Sequence, residues 1–294
     1  MDPKNDKQLV SPEREAYRKT VDVYVWGAEH VTRHMIYARF WQKFLFDLGI
    51  VTHEEPFQKY QKVGLIMAED GRKMSKRWNN VVLPDDVIAE HGPDVFRTYE
   101  MFMGPFDQSI AWSTNGVKWV RKFYDKIIAL KDKIKDGYVL PKNIDTLKHQ
   151  TIKKLTEDID EFRFNTGVSQ LMIFVNALSD IDGIDKSTYQ DLILLIAPFA
   201  PHLAEEIWEE LGNAYSIFTT GKWPSFDSNK LVSDVAKIAV QINGKVRWAF
   251  ELSPETTEEE IMKLIKADPK LSAWLTSEPK KVIYVKWKIM NIVL

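Results

Sequence analysis

The sequence predicts three domains: an α/β domain over residues 1–105, an all-α bundle over residues 106–230 and a small α/β domain over residues 231–294. Three observations predict this division. Near the N-terminus, a β-branched run is followed by a glycine and then by apolar residues at helical spacing. Helical periodicity continues through the middle of the chain. Two alternating runs around an Asn-Gly pair open the last region.

Composition favours a folded, water-soluble chain. The 294 residues are 45% hydrophobic, and 40 Lys and Arg against 42 Asp and Glu leave a formal net charge of -2. Any site for a polyanion must therefore be local. The cysteine count is 0, which excludes disulfides and thiolate metal sites and fits a reducing compartment. Because no apolar run reaches about 18 residues and no signal peptide is evident, we expect a cytoplasmic protein.

The first region has the pattern of a nucleotide-binding unit. VDVYVW (Val21–Trp26) is typical of a buried strand that stops at Gly27, and AEHVTRHMIYARFWQKFLFDLG follows with helical spacing. A strand, a glycine turn and a helix form half of such a unit, with the ligand crevice at the carboxyl end of the strand. Further along, LPDDVIAEHG predicts a helix that begins at Pro84 and ends before Gly92.

The middle region predicts a helical bundle. DLILLIAPFAPHLAEEIWEELG reads as two helices broken around Pro198 and Pro201. Two apolar stripes at helical spacing predict the core, and the lysine-rich RKFYDKIIALKDKIK is typical of a solvated face. The stripes are Ile152, Leu155, Ile159 and Phe162, and then Val168, Leu171, Met172, Val175 and Leu178.

The last region predicts a hairpin, a helix and two further strands. The hairpin turns at Asn243 and Gly244, a pair that readily adopts the left-handed conformations of a two-residue turn. SPETTEEEIMKLIKAD predicts a helix capped by Ser253, with an acidic first turn. KKVIYVKWKIMNIVL then returns as two strands.

The stretch GLIMAEDGRKMSKRWNN contains the candidate chemistry of the chain. Lys73 and Lys76 lie in a short polar loop, and the small Ser75 lies between them. Two ammonium groups beside a nucleotide crevice suit the phosphates of ATP, because charge grows on the bridging and terminal oxygens as pyrophosphate leaves. A lysine-rich solvated turn is the alternative that composition alone leaves open.

Two histidines raise the question of a metal. His30 and His34 lie four residues apart, a spacing that places both on one face of a helix and could serve a zinc pair. No third ligand is evident in the sequence. We therefore expect no metal centre here, and a structural or pocket-lining role for His34.

Six blocks of sequence resemble one family, in its order and across essentially the whole chain. KMSKR is similar to the Lys-Met-Ser-Lys-Ser signature of class I aminoacyl-tRNA synthetases. With VYVWGAEHVTRHMIYARF, NVVLPDDVIAEHGPDVFRTYEMFMGPFDQSIAWSTNGV, EFRFNTGVSQLMIFVNAL, LIAPFAPHLAEEIWEELG and VQINGKVR, it resembles leucyl-tRNA synthetase of the bacterial type. The resemblance implies the C-terminal half of a class I Rossmann-type catalytic domain, an anticodon-binding helical bundle and a small α/β C-terminal domain. It also implies ATP-dependent ligation of leucine to tRNA(Leu), with Mg²⁺ accompanying ATP.

The resemblance also assigns site residues. Lys73 and Lys76 would be catalytic and contact the ATP phosphates, with Lys76 the better candidate for transition-state contact. Arg247 and Lys245 would contact the tRNA elbow. Gly27 and Glu29 match the family's turn at the adenosine ribose, where a carboxylate accepts two hydroxyls. The residues implied at the ATP site are Gly27, Glu29, His30, Met74, Ser75 and Lys76.

The chain departs from the family pattern at its start and in its signature. The His-Ile-Gly-His string and the leucine-recognising and editing insertions are missing, so we expect a chain that begins within the catalytic domain. It would be a fragment, a subunit whose partner is the N-terminal half, or a paralogue without activation chemistry. Arg77 replaces the last signature serine and still offers donors to phosphate. A non-catalytic tRNA-binding or regulatory paralogue is the alternative function.

Three tryptophans stand where the family usually has glycine, namely Trp26, Trp248 and Trp287. An indole at position 26 would crowd the adenosine turn. One hypothesis is that these positions are glycine codons read under the wrong genetic code, with UGA translated as tryptophan. UGG codons at all three positions would end this hypothesis.

Overall fold

The structure is a computed structural model and describes residues 2–231, 236–253, 256–285 and 288–294. Trp287 lies outside these residues. The elements of the first part are Pro12–Arg18 (α1), Val21–Gly27 (β1), Ile36–Asp47 (α2), Phe57–Val63 (β2), Ile66–Met67 (β3), Pro84–His91 (α3), Pro93–Phe102 (α4) and Ile110–Ala111 (β4). The elements that follow are Thr114–Ala129 (α5), Lys142–Asp160 (α6), Phe164–Ser179 (α7), Lys186–Ile196 (α8), Pro201–Glu210 (α9), Ile217–Thr220 (α10), Ala236–Ile242 (β5), Lys245–Leu252 (β6), Glu258–Ala267 (α11), Pro269–Ser272 (α12), Lys281–Val285 (β7) and Ile289–Val293 (β8).

The predicted strand, turn and helix near the N-terminus are confirmed. β1 pairs in parallel with β2, from Val21 opposite Phe57 to Gly27 opposite Val63. A 3₁₀ turn over Ala28–His30 and a π-helical turn over Val31–Met35 then lead into α2. The carboxyl end of β1 therefore opens directly into a helical segment, as a nucleotide-binding unit requires.

The prediction that β1 is buried is wrong. Val21, Val23 and Val25, which share one side of the strand, are 47%, 40% and 37% exposed, and we call this side the open sheet face. The sheet has two strands among the described residues, so no third strand or further layer covers that side. A second apolar surface, the α2 face, is also exposed; its members are Ile36, Tyr37, Phe40, Trp41 and Phe44.

Both predicted helical stripes belong to the core of the bundle, with one correction. Ile152, Leu155, Val168 and Leu171 are buried, and Ile159 packs against them. The predicted break between α8 and α9, around Pro198 and Pro201, is confirmed.

The correction concerns Phe162, which was expected on the stripe of α6. The helix ends at Asp160, and Phe162 has a φ of 58°, outside the helical range. The buried Asp158 carboxylate explains the turn, because it accepts hydrogen bonds from Arg163 Nε at 2.9 Å and from Thr166 Oγ1 at 2.7 Å. Holding both residues against the end of α6 stabilises the reversal of the chain between Asp160 and Phe164.

Helix α4 connects the part of the chain that contains KMSKR to the helical bundle. Asp94 Oδ2 accepts a hydrogen bond from the backbone N–H of Leu203 at 2.7 Å, and Asp94 Oδ1 is 2.8 Å from His202 Nδ1. Ala200, the residue that precedes α9, has no capping side chain, so Asp94 caps α9 from another helix. Val95 and Tyr99 share the bundle core, so α4 packs with the helices beyond the domain boundary predicted at residue 105.

The C-terminal region forms its own layer and core. Its sheet has the order β6-β5-β8-β7, and its buried core, which includes Ile238, Ile261 and Met290, is separate from that of the bundle. The hairpin prediction is confirmed, since Asn243 and Gly244 both have positive φ, 51° and 78°. The two further strands are confirmed as β7 and β8.

The predicted cap of the helix in this region is wrong. α11 is capped by Thr257, whose hydroxyl accepts from the Glu260 backbone N–H while the Glu260 carboxylate accepts from the Thr257 backbone N–H at 2.8 Å. Such a reciprocal capping box satisfies two free donors at once, which a lone serine four residues earlier cannot do.

No helix among the described residues is long and apolar enough to cross a membrane.

We predict that Asp94→Ala lowers the free energy of unfolding by about 2 kcal/mol, because Leu203 then keeps a buried N–H without its acceptor. Urea unfolding followed by circular dichroism measures this loss. Asp85→Ala is the matched control, since Asp85 also follows the proline that begins its helix but is exposed. We expect the control to lose less than about 0.5 kcal/mol; equal losses would contradict the tertiary capping role.

Candidate functional site: the lysine loop and the turn after the first strand

The polar segment that contains Lys73, Ser75 and Lys76, which we call the lysine loop, follows β3. It is held by a compact network of hydrogen bonds. Asn80 Oδ1 accepts from the Ser75 backbone N–H at 2.9 Å, and the Ser75 hydroxyl accepts from the Arg77 backbone N–H at 3.2 Å. The latter bond caps a short 3₁₀ turn over Lys76–Trp78. Ser75 therefore shapes the loop from within, in addition to the phosphate contact predicted for it.

The two lysines are presented to solvent without partners. Lys73 and Lys76 are exposed, and neither forms an ion pair within residues 2–231. Lys73 also takes part in a single antiparallel bridge with Met67, the last residue of β3. A pair of unpaired ammonium groups on an ordered turn can receive an anion without first breaking an internal salt bridge.

The loop is fastened to the bundle at two points. Met74 packs against the bundle core, so its predicted contact with ATP would have to come from its backbone. Glu69 accepts from both the backbone N–H and the hydroxyl of Thr114 at 2.8 Å, at the start of α5. These bonds, the backbone one first, hold the pKa of the Glu69 carboxyl below its usual range. The negative charge of Glu69 is thus committed to the helix N-terminus.

The turn after β1 has the close packing that its glycine predicts. A Cβ added at Gly27 would lie 2.7 Å from Glu29 Cδ, so only glycine lets the Glu29 carboxylate fold over this turn. His30 Nε2 is 4.0 Å from Glu29 Oε1. Tyr60 donates its hydroxyl hydrogen to the carbonyl of Trp26 at 2.9 Å and ties the turn to β2. The side chains of Glu29 and His30 are 45% and 46% exposed beside this turn.

The lysine loop and the β1 turn remain two separate groups. No hydrogen bond or ion pair joins Glu29 or His30 to Lys73 or Lys76 within residues 2–231. They lie at the ends of different strand pairs, β1 with β2 and β3 with β4. A ligand that used both groups would have to bridge them.

His34 has a side-chain partner on the neighbouring strand. Its Nε2 is hydrogen-bonded to the Tyr24 hydroxyl, and its ring lies 5.6 Å from the Tyr24 ring. The described residues contain no group of three side chains that could hold a metal ion. This arrangement agrees with the structural role predicted for His34.

The side chain of Trp26 lies among these aromatic rings. Its indole is 5.0 Å from the His30 ring, edge to face, and 43% of the residue is exposed. The indole therefore lies beside the turn that carries Glu29.

The tRNA-contact candidates lie on the hairpin of the C-terminal domain. Lys245 and Arg247 are two residues apart on β6, and Arg247 is the extra residue at a bulge where the pairing register with β5 shifts. Arg247 Cζ lies 3.7 Å from the centroid of the Trp274 ring, a stacked cation–π contact, and its Nε has no hydrogen-bond partner. The stacking fixes the guanidinium group and leaves its outer N–H groups available to an anion.

Sequence reasoning missed several residues that shape the site. Asn80 and Tyr60 hold the loop and the β1 turn through hydrogen bonds to the backbone, and nothing in their local sequence indicates this. Arg72 and Trp78 were also missed, although an aromatic residue among cations is a recognisable signal. Arg72 forms an ion pair with Asp70 at 2.6 Å and contacts the Trp78 ring.

Glu100 of α4 is a half-buried carboxyl beside β3, the strand that leads to the loop. It lines a small cavity with Gly64, Leu65 and Ile66 and has no hydrogen-bond or ion-pair partner among the described residues. Because burial disfavours the charged form, the pKa of Glu100 is raised to about 7.

Comparison with known proteins agrees with this architecture. Residues 14–113 match the family described as tRNA synthetases class I (I, L, M and V), and residues 141–262 match the anticodon-binding domain of tRNA ligase. A leucyl-tRNA synthetase of Agrobacterium radiobacter, solved with tRNA and LeuAMS, is 29% identical with a TM-score of 0.68, over 92% of this chain and 38% of that chain. Methionyl-tRNA synthetase of Mycobacterium tuberculosis, solved with methionyl-adenylate, shares the fold at 17% identity and a TM-score of 0.53, over 74% of this chain and 50% of that chain.

The chain therefore belongs to the class I aminoacyl-tRNA synthetases and carries part of their catalytic domain followed by their anticodon-binding domain. Within that class it is leucyl-tRNA synthetase-like. It spans about two fifths of the length of the leucyl-tRNA synthetase that it matches. The predicted family and fold class are confirmed.

We predict a pH-dependent stability that originates at Glu100. A carboxyl whose folded pKa of about 7 exceeds its unfolded value binds its proton more tightly when folded. Its favourable contribution is complete below about pH 4.5 and is lost as the pH rises to about 7. Glu100→Gln should therefore stabilise the protein at pH 8 by on the order of 2 kcal/mol and hardly at all at pH 4.5.

Thermal unfolding at a series of pH values measures this difference. Glu206→Gln, at an exposed position on α9, is the matched control and should leave the pH profile unchanged. A constant offset between Glu100→Gln and the wild type at all pH values would mean that the Glu100 carboxyl does not titrate in this range.

Proposed function

We propose that this chain is the part of a leucine–tRNA ligase that supplies the ATP-phosphate-contacting lysine loop and most of the tRNA-binding surface. The ligase would attach leucine to tRNA(Leu) in an ATP-dependent reaction in the cytoplasm. The observation that carries the proposal is the lysine loop: Lys73 and Lys76 stand exposed and unpaired on a turn that Met74 and Glu69 fasten to the bundle. Leucine specificity rests on the likeness to a leucyl enzyme.

The residues present fit ATP at both of its ends. Glycine at position 27 leaves room for the Glu29 carboxylate, which can accept the two ribose hydroxyls, and His30 lies beside it. Lys73 and Lys76 provide two cations for the phosphates. Mg²⁺ would arrive bound to ATP, because the described residues offer no cluster of three ligands of their own.

ATP supplies an α-phosphorus that the leucine carboxylate can attack and a pyrophosphate that can leave. As the bond to pyrophosphate breaks, negative charge grows on the leaving oxygens. Lys76, on the 3₁₀ turn, and Lys73, at its base, stabilise that charge more than they stabilise bound ATP, which lowers the barrier. The ordered loop sets their positions before the reaction, so little reorganisation is needed.

The exposed apolar surfaces support a partner for this part of the catalytic domain. The open sheet face carries three exposed valines, and the α2 face carries five exposed large apolar side chains. A parallel sheet is normally covered on both sides. We propose that the remaining part of the catalytic domain, whether on the same chain or on another, covers these surfaces and completes the leucine site.

A non-catalytic tRNA-binding or regulatory paralogue is the second candidate. The observation that favours it is Trp26, whose indole lies beside the turn that carries Glu29. A paralogue of this kind would bind tRNA and would not activate leucine.

We predict that Lys76→Ala, in the complete catalytic domain, slows leucyl-adenylate formation by roughly two to three orders of magnitude, as expected when one charge-stabilising donor is lost from the transition state. Leucine-dependent exchange of labelled pyrophosphate into ATP measures the rate. Lys131→Ala, which removes a cation from the bundle, should leave the rate unchanged. Equal losses in rate and in leucine affinity would indicate a general folding defect instead.

We predict that the 294 residues alone do not catalyse this exchange but do so when the remaining part of the catalytic domain is co-expressed. The carboxylate and the α-phosphorus must be aligned from both sides of the crevice, and alignment is a large part of the rate. Robust exchange by the isolated chain would refute the need for a partner. The absence of exchange both with and without the co-expressed part would favour the non-catalytic paralogue.

We predict that tRNA binding by this chain is steeply salt-dependent, because the net charge is only -2 and the contacts must be local cationic ones. Filter retention of labelled tRNA across a series of salt concentrations measures the slope. Lys245→Ala and Arg247→Ala should each reduce the slope by about 1, whereas Lys270→Ala, outside the hairpin, should not. Retention that is independent of salt would rule out this electrostatic account.

A further inference from the structure

We infer that Trp78 is a stacking platform for the unpaired base at the 3′ end of the tRNA acceptor strand. The inference rests on the proposed function and adds a recognition element to it. Trp78 ends the 3₁₀ turn that carries Lys76, and Asn79 follows it in the left-handed conformation with a φ of 47°. The indole therefore projects from the same turn as the lysine assigned to the ATP phosphates.

Trp78 is not needed to fill a core. The residue is 52% exposed, whereas Trp112 and Trp208 are 6% and 8% exposed and belong to the bundle core. Both buried indoles also donate hydrogen bonds, Trp112 to Thr114 at 3.3 Å and Trp208 to the carbonyl of Tyr215 at 3.2 Å. The Trp78 N–H has no such partner among the described residues. Its ring is thus a large, half-exposed aromatic surface that is contacted by arginine side chains and belongs to no core.

Two arginines hold that ring in place. Arg72 Cζ lies 4.9 Å and Arg77 Cζ 5.4 Å from the centroid of the Trp78 ring. Arg72 is itself oriented by Asp70, which accepts from Arg72 Nε at 2.8 Å and from Nη2 at 2.6 Å. A ring that is already ordered loses less conformational entropy when a base stacks on it.

The positive charge near the Trp78 ring favours a nucleic acid as the ligand of this ring. Arg72, Lys73, Lys76 and Arg77 all lie within the six residues that precede Trp78, and Asp70 pairs only with Arg72. Cations that track a phosphate backbone beside an exposed aromatic ring are the usual means of binding unpaired nucleotides. A purely apolar partner would leave three unpaired cations at its interface, which is unfavourable.

Because Trp78 lies on the lysine loop, the acceptor end is the unpaired part of a tRNA that it is placed to bind. During ligation, the 3′-terminal nucleotide that receives the amino acid must lie near the phosphates that Lys73 and Lys76 are proposed to contact. Every other unpaired region of the tRNA lies farther from that point. A base stacked on Trp78 would anchor the strand next to the reacting group. Trp78 would thus be a positioning residue for the transfer step.

The test uses tRNA(Leu) whose terminal adenosine is replaced by 2-aminopurine, a base whose fluorescence falls when it stacks. We expect the wild-type chain to quench the fluorescence, Trp78→Ala to abolish the quench and Trp78→Phe to keep part of it. Affinity for the tRNA should fall by about tenfold in Trp78→Ala, the size expected for one lost stacking contact. Trp119→Ala, which removes an indole that is 70% exposed on α5, is the matched control and should quench like the wild type.

The outcomes separate the two proposals. If the tRNA binds and Trp78→Ala quenches as the wild type does, or if the wild type does not quench at all, the platform is refuted while tRNA binding stands. If the wild type does not bind the tRNA, the proposed function itself fails. Release of the quench by a non-hydrolysable ATP analogue at its own binding concentration would show that Trp78 receives the adenine of ATP, and would overturn the inference. Circular dichroism confirms that each variant is folded.

Discussion

The rest of the structure depends on one buried carboxylate, that of Asp94, which joins two helices that are more than one hundred residues apart in sequence. The Asp94 carboxylate lies at the start of α4 and accepts from the free backbone N–H of Leu203 in the first turn of α9. Three further hydrogen bonds strengthen the joint: Arg97 and Thr98 donate to the carbonyls of Pro198 and Phe199, and Tyr124 donates to the carbonyl of Asp94. The lysine loop is fastened to the same body through Met74 and through the Glu69–Thr114 bonds. The loop and the bundle therefore form one unit, and the two lysines have a defined position relative to the bundle.

The features that the sequence predicted well are those with a local cause. The hairpin at Asn243-Gly244 follows from two residues that tolerate positive φ, and α3 follows from a proline at its start and a glycine after its end. The lysine loop was also identified correctly as a loop, because its polar run interrupts an apolar one. By contrast, the cap of α11, the turn at Phe162 and the exposure of β1 were predicted wrongly. Each depends on a partner that periodicity does not reveal: the reciprocal Glu260 carboxylate, the Asp158 carboxylate and the absence of a covering layer among the described residues.

The same distinction holds within the site. The residues expected to contact the ligand were predicted in two ways: Lys73 and Lys76 from their types and spacing in a polar loop, and Glu29 from the resemblance to the family. The residues that hold them in place, such as Asn80 and Tyr60, act through backbone carbonyl and amide groups, which any nearby polar side chain could satisfy, so only the folded chain identifies them. Glu100 belongs to a third kind. Its raised pKa results from burial alone, and burial at one helical position is decided by the packing of β3 and the loop after α4.

Charge and exposed apolar area divide the chain into two kinds of surface with different roles. The loop and the hairpin carry unpaired cations, some of them ordered by an indole, in a chain whose total charge is nearly balanced. These cations are thereby concentrated at two places, the lysine loop and the hairpin of the C-terminal domain. The open sheet face and the α2 face instead present exposed valines and aromatic rings. Exposing apolar area of that extent to water is unfavourable, whereas the cations are readily hydrated. The apolar faces and the cationic loop and hairpin therefore suit different kinds of partner. The Asp94 joint fixes α4 to α9, and the Glu69–Thr114 bonds fix the lysine loop to α5 of the same body, so the loop keeps a defined position on the bundle.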